Sequence, residues 1–210
     1  MTRVKPKKAL GQHFLTDLSV ASRIASTMDA APDLPLLEIG PGMGVLTQFL
    51  LEKGRDLKVV EIDSESVEYL EREFPALEGD FLKLDLDKIF GDSQFGVIGN
   101  YPYNISSQIF FKILDYKDLV PVCSGMLQRE VAERLAAREG TKARGILSVL
   151  LQAWYDVEYL FTVSEHVFNP PPKVKSGVII MRRNDVRSLG CDEALFRTVV
   201  KTTFGQRRKT

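Results

Sequence analysis

Short apolar runs alternate along this chain with stretches whose apolar positions recur every three or four residues. The first period marks buried strands and the second marks helices with one buried face. "LLEI", residues 36–39, is an apolar run that enters a glycine-rich turn. "VLTQFLLEKG" behind it has helical spacing and stops at Gly54, a residue suited to a helix C-terminus. "DLKVVEID" reads as a second strand. Ser64 can then cap a helix whose Val67, Leu70 and Phe74 face inward before Pro75. Strands follow at "ALEGD" and "FGVIGN", with "SSQIFFKILDY" helical after the second. "LVPVCSGML" and "QREVAERLAAR" repeat the order. Ahead of them all, Thr16 or Asp17 can cap a helix carrying Leu18, Ala21, Ile24, Ala25 and Met28 on one face.

Strands and helices in turn imply a parallel sheet covered on both faces. The late part of the chain changes the rhythm. A helix is expected from Ile146 to about Tyr155, and the strands "VEYLFTV" and "SGVIIMRR" then follow with only "FNPPPKVK" between them. Two strands without an intervening helix imply that one runs antiparallel. "DEALFRTVVKTTF" adds a last helix. The pattern predicts a doubly wound α/β domain.

Composition narrows the chemistry only a little. The chain has 210 residues, 44% hydrophobic and 27% charged, with 28 Lys and Arg against 28 Asp and Glu. Balanced charge names no partner, but its distribution is uneven. Lys5, Lys7 and Lys8 crowd one end, and Arg207, Arg208 and Lys209 the other. Basic ends on a neutral body can hold a polyanion, although basic tails are more often only solvated. Cys123 and Cys191 make no disulfide framework, which fits a reducing cytoplasm, and two separate histidines make a metal site improbable. No run of 18 apolar residues and no signal-peptide core is present, so no membrane association is expected.

The glycine turn carries the first chemical signal. In "EIGPGMG", Gly40, Gly42 and Gly44 stand where the first strand gives way to the first helix of the repeat. There a ligand must approach the backbone closely. A dinucleotide fingerprint would put its third glycine at position 45, which is Val45. The spacing GxGxG behind an acid, Glu38, weakens a nicotinamide reading. Glu61 closes the second strand, where a carboxylate can accept from both hydroxyls of a ribose. Asp80 closes the third, where it can accept from an adenine amino group while Phe81 covers the ring. No triphosphate-binding lysine motif is present. These strand ends together make S-adenosylmethionine the best cofactor candidate.

The fourth strand ends in "GNYPYNIS", with Asn100, Pro102 and Tyr103 beside the expected position of the cofactor's methyl group. An adenine amino nitrogen is a poor nucleophile because its lone pair is delocalised into the ring. The Asn100 side-chain oxygen and a carbonyl beside Pro102 can hold its two hydrogens, favouring a pyramidal nitrogen and the positive charge that grows there. Proline fixes φ and steadies that carbonyl. Tyr103 offers a flat face for an extruded base. No general base is required, since the methylated amine is acidic. The bland alternative is a Pro-Tyr turn with a buried ring.

These residues resemble the ribosomal RNA adenine dimethyltransferases, specifically the KsgA type that acts on small-subunit RNA. The likeness runs from "KKALGQHFL" through "EIGPGMGVLT", "GNYPYNISS" and "RGILSVLLQ" to "VFNPPPKVKSGV" and "FGQRRKT". It implies a Rossmann-like class I methyltransferase with a seven-stranded, mostly parallel sheet. A methyltransferase domain would span 1–183, and 184–210 would begin the family's C-terminal helical region, otherwise largely absent. It implies that His13 and Leu15 touch the cofactor, with Gly40, Glu61, Asp80 and Asn100 binding it. It also implies that Phe168 stacks on the target adenine opposite Tyr103. Tyr101 stands where the family more often has Leu or Ile, and a bulkier ring there is expected to reshape the pocket mouth. The implied partner is small-subunit ribosomal RNA in an assembling particle, met by a cytoplasmic monomer. The rivals are an Erm-type enzyme of large-subunit RNA and an assembly factor with incidental chemistry.

Overall fold

A computed structural model describes residues 4–72 and 74–206. Arg207, Arg208 and Lys209 therefore lie outside the described residues. In chain order the elements open with β1 (Phe14–Leu15), α1 (Leu18–Ser26), β2 (Leu36–Ile39) and α2 (Thr47–Glu52). They continue with β3 (Leu57–Glu61), α3 (Ser64–Leu70), β4 (Leu77–Glu78), α4 (Asp87–Phe90) and β5 (Gly96–Asn100). Next come α5 (Ser106–Asp115), β6 (Val122–Gln128), α6 (Arg129–Leu135), α7 (Ile146–Gln152) and β7 (Tyr155–Val163). The last are β8 (Phe168–Asn169), β9 (Ser176–Arg183) and α8 (Glu193–Gln206).

Seven strands form one sheet in the order β4-β3-β2-β5-β6-β9-β7. The pairs from β4 to β6 are parallel, and β9 runs antiparallel to both β6 and β7. Side chains alternate across the central strands. Leu37, Val97, Cys123 and Ile179 enter one core with α5, α6 and α7, whereas Leu36, Ile98, Met126 and Val178 enter another with α1 and α2. A sheet buried on both faces needs apolar residues at nearly every position, which is why its strands read as continuous runs. α8 packs back on α7 and adds Val200 to the first core.

Local chemistry sets the element ends. Asp17 caps α1: its Oδ1 accepts from the N–H groups of Ser19 at 2.9 Å and Val20 at 3.2 Å. Leu18, expected on the buried face, is instead 54% exposed, because the first helical residue lies beyond the edge of the core. Asp63, not Ser64, stands at the N-cap of α3. The helix from Ile146 ends at Gln152, and Tyr155 already opens β7. The antiparallel strand is β9, inserted between β6 and β7. No helix among the described residues is long and apolar enough to cross a membrane.

Candidate functional site

The ends of β2, β3 and β5 open on one cavity, and the segment before α1 closes over it. Leu10 to Leu15 line it from above, the 40–45 turn and Glu61–Ile62 from one side, and Asn100 to Tyr103 from the other. Backbone pairing holds the closing segment in place. β1 pairs antiparallel with β8, matching Phe14 with Asn169 and Leu15 with Phe168. Farther along it, Lys7 Nζ lies 2.5 Å from a buried Asp63 oxygen and 3.0 Å from Glu65. Gln12 donates to the other Asp63 oxygen at 3.2 Å. Burial would raise the Asp63 pKa, but Lys7, Gln12 and Ser66 together hold it below the ordinary carboxylate range.

The glycine turn is built for close approach. Gly40 and Gly42 have φ of +66° and +57°, values that side chains rarely adopt. A Cβ on Gly42 would stand 3.0 Å from the Phe14 ring, whereas one on Gly40 would meet nothing within 4 Å. Gly40 is thus required by its backbone angle, and the space beside it is free for a ligand. The Gly42 N–H donates to Glu61 Oε2 at 3.0 Å. Glu61 Oε1 accepts from Ile62 at 2.9 Å and Asp63 at 3.0 Å. A carboxylate offers about four acceptor sites, so three backbone donors leave one for a ribose hydroxyl. Burial raises the Glu61 pKa, and those three N–H groups pull it back.

Glu38 lies deeper. It is 1% exposed, and its Oε2 is buried without a hydrogen-bond partner, as is the Thr47 hydroxyl. Burial pushes the Glu38 carboxyl up to about 8; the nearby Thr47 hydroxyl tempers the rise and the charge of Glu61 adds to it. An orphaned carboxylate oxygen on a cavity wall fits a cationic ligand end. Ile62 is 50% exposed at the same wall, an apolar surface for a base. These features fit S-adenosylmethionine, which combines an ammonium, a ribose and an adenine.

On the facing wall, Asn100 Nδ2 donates to the His13 carbonyl at 3.1 Å, leaving Oδ1 without a partner among the described residues. Tyr103 bonds through its hydroxyl to buried Ser176 Oγ at 2.5 Å. Its ring stacks on the His13 ring, with centroids 5.5 Å apart. His13 Nδ1 in turn lies 2.8 Å from the Pro170 carbonyl and must donate to it. His13 thus stands beside "NYPY", brought there from 87 residues away.

Of the residues singled out in the sequence, His13, Leu15, Gly40, Gly42, Glu61, Asn100, Pro102 and Tyr103 line this cavity. Asp80, Phe81 and Phe168 do not line this cavity, although the Gly79 N–H donates to the Glu61 carbonyl at 2.8 Å and so keeps Asp80 at the same end of the sheet. Asp80 caps a 3-10 turn at Phe81–Lys83 and pairs with Lys83 at 3.5 Å. Phe81 is 4% exposed in the first core, and Phe168 is held among core side chains by the β1–β8 register. Lys5 and Lys8 are exposed, while Lys7 is engaged by Asp63 and Glu65. The Tyr101 ring is buried in the core, while Tyr101 itself also belongs to the cavity wall. Gln12, Ile62 and Ser176 were not singled out; only Gln12 carried a signal, its place in "GQHF".

Three comparisons bear on this geometry. A family model described as "Ribosomal RNA adenine dimethylase" matches residues 3–210. A protein of Parabacteroides distasonis named "Ribosomal RNA small subunit methyltransferase A" is 73% identical over 215 residues, covering 100% of this chain and 80% of its own. Among solved structures, a dimethyladenosine transferase from Plasmodium falciparum aligns with a TM-score of 0.81 at 26% identity, covering 94% of this chain and 73% of that one. The 23S rRNA methyltransferase ErmE aligns with a TM-score of 0.74 at 27% identity, covering 93% and 80%.

Proposed function

The chain belongs to the ribosomal RNA adenine dimethylase family, and from that premise we propose that it acts on the small ribosomal subunit. It places two methyl groups on N6 of each of two adjacent adenosines, in a hairpin loop near the 3′ end of the small-subunit RNA. S-adenosylmethionine supplies an electrophilic methyl group when bound. The observation that carries the reading is the Asn100 amide. Its nitrogen is tied to the His13 carbonyl, so Oδ1 is the atom left to accept a hydrogen from a target amine. A carbonyl beside Pro102 takes the second hydrogen, and the two acceptors stabilise positive charge developing on nitrogen. The segment carrying Leu10 to Leu15 keeps water from the reacting centre. Tyr103, braced by Ser176, supplies the face that orders the extruded base.

Identity favours the small-subunit reading over the large-subunit one, with 73% to the small-subunit relative against 27% to ErmE. Exposed Lys5 and Lys8 are proposed to meet RNA phosphate, joined by Arg207, Arg208 and Lys209. Unmethylated small-subunit particles and naked large-subunit RNA should be offered together, and the modified nucleosides identified by mass spectrometry. Dimethyladenosine should appear in the small-subunit RNA alone. Label confined to the large-subunit RNA would sink the proposal. In binding titrations of the small-subunit RNA at several salt concentrations, neutralising Lys5 and Lys8 should flatten the salt dependence, because fewer counterions are released. An unchanged slope would return those two residues to the solvent.

Glu61→Ala should weaken S-adenosylmethionine binding by about 1.5–3 kcal/mol, the scale of charge-assisted hydrogen bonds. The variant also frees the Gly42 N–H, so the glycine turn loses its anchor in the same step. Titration calorimetry reads the effect directly. Parental affinity would place the ribose elsewhere.

A further inference from the structure

Tyr101 sits between Asn100 and Pro102, yet its ring lies on the core side of the turn and is 1% exposed. Two glycines make room for it. A Cβ on Gly99 would stand 2.6 Å from the Ile39 carbonyl and 3.0 Å from the ring, and one on Gly125 would stand 2.3 Å from the Gly99 carbonyl and 2.6 Å from the ring. These glycines are register partners across β5 and β6. The Tyr101 N–H donates to the Met126 carbonyl at 2.9 Å. Its hydroxyl donates to the Ser124 carbonyl at 2.7 Å and lies 3.3 Å from Cys123 Sγ. Phe110 meets the ring edge-on, with centroids 5.5 Å apart. Backbone, ring face and hydroxyl thus tie this one residue to β6 at both ends of its side chain.

We infer that Tyr101 is a positioning residue for methyl transfer, fastening the 100–103 turn to β6 so that the Asn100 amide and the carbonyl beside Pro102 stand at a fixed place. The inference rests on the roles given to Asn100 and Pro102 above. Close backbone approach already bars a side chain at both glycines, and the Tyr101 ring fills the space they leave at the centre of the sheet. Glycine weakens a strand, and here the ring packs against both glycine backbones, which no side chain separates from it. In a dry interior the phenol cannot exchange the Ser124 carbonyl for water, so the turn has one favoured position. A displacement of about 1 Å at a reacting centre can cost a hundredfold in rate.

The test uses the full chain with Tyr101→Phe, which removes the hydroxyl, and Tyr101→Leu, which empties the seat between the glycines. Single-turnover rates on unmethylated small-subunit particles are measured at saturating S-adenosylmethionine, well below the Tm of each variant. Each rate is divided by the number of donor-binding sites counted by calorimetry, which removes any unfolded fraction. Tyr101→Phe should be roughly tenfold slower and Tyr101→Leu roughly a hundredfold slower, both with donor affinity within about twofold of the parent. In an Asn100→Ala background, Tyr101→Phe should cost much less than it does in the parent, because residues acting through one another are not additive. Parental rates per site in both variants would overturn the inference. Should Tyr101→Leu fail to fold, Tyr101→Phe alone decides. An Asn100→Ala enzyme with the parental rate is a separate result, and it would remove the reading on which the inference stands.

Discussion

Asn100→Ala should slow methyl transfer by roughly a hundredfold or more while leaving RNA binding nearly intact, as when one preorganised polar group is removed from an active site. The size follows from how the amide is held. Asn100 is the last residue of β5, its main chain fixed in the centre of the sheet, and its Nδ2 is committed to the His13 carbonyl. The orientation of Oδ1 is therefore set before any substrate arrives. An acceptor placed in advance stabilises the charge that appears on the amine only in the transition state, so its loss lowers the rate more than the affinity. The same bond ties the 10–15 segment to the cavity, and some donor affinity should be lost with it. The rate must accordingly be read at saturating donor. If it stays at the parental value there, "NYPY" is only a turn and the mechanism fails.

The sheet was legible because of how it is buried. β2, β5, β6 and β9 are covered on both faces, and that requirement writes apolar runs into the chain. β4 was legible only through its neighbours, since both its residues are exposed and its two positions carry no pattern of their own. The β1–β8 pair left no trace in the sequence. Its strands are two residues long and some 150 residues apart, and no period can be read from two positions. That pair decides much of the site, for it lowers His13 over Tyr103 and draws Phe168 into the core. Asp80 and Phe81 follow a similar logic: the 3-10 turn that Asp80 caps turns the Phe81 ring inward to Lys112 and the first core. Glu38 was visible only as an acid before the glycines. Its significance depends on burial and on an oxygen without a partner, and neither is a property of sequence spacing.

Glu38 leads to the largest stability effect expected of this chain. Its carboxyl is pushed from an ordinary 4.5 up to about 8 in the folded protein, chiefly by burial. The folded state then holds a proton that the unfolded state releases. Stability contributed at this site is fully present below about pH 4.5, falls as pH rises, and levels off above about 8. Between pH 5 and 8 the parent should lose on the order of 3 kcal/mol relative to Glu38→Gln, which keeps the shape and cannot ionise. Glu61 is also raised by burial and loses stability in the same direction, so the difference between parent and variant reads Glu38 together with its coupling to Glu61. Urea unfolding of both proteins at several pH values measures it. A cationic group seated against the free Glu38 oxygen would favour its charged form and lower its pKa. S-adenosylmethionine should therefore stabilise the parent more at pH 8 than at pH 5, and Glu38→Gln should show no such trend. Parallel pH profiles for the two proteins would mean that Glu38 titrates normally, and the cationic end of the donor would then have to be held elsewhere.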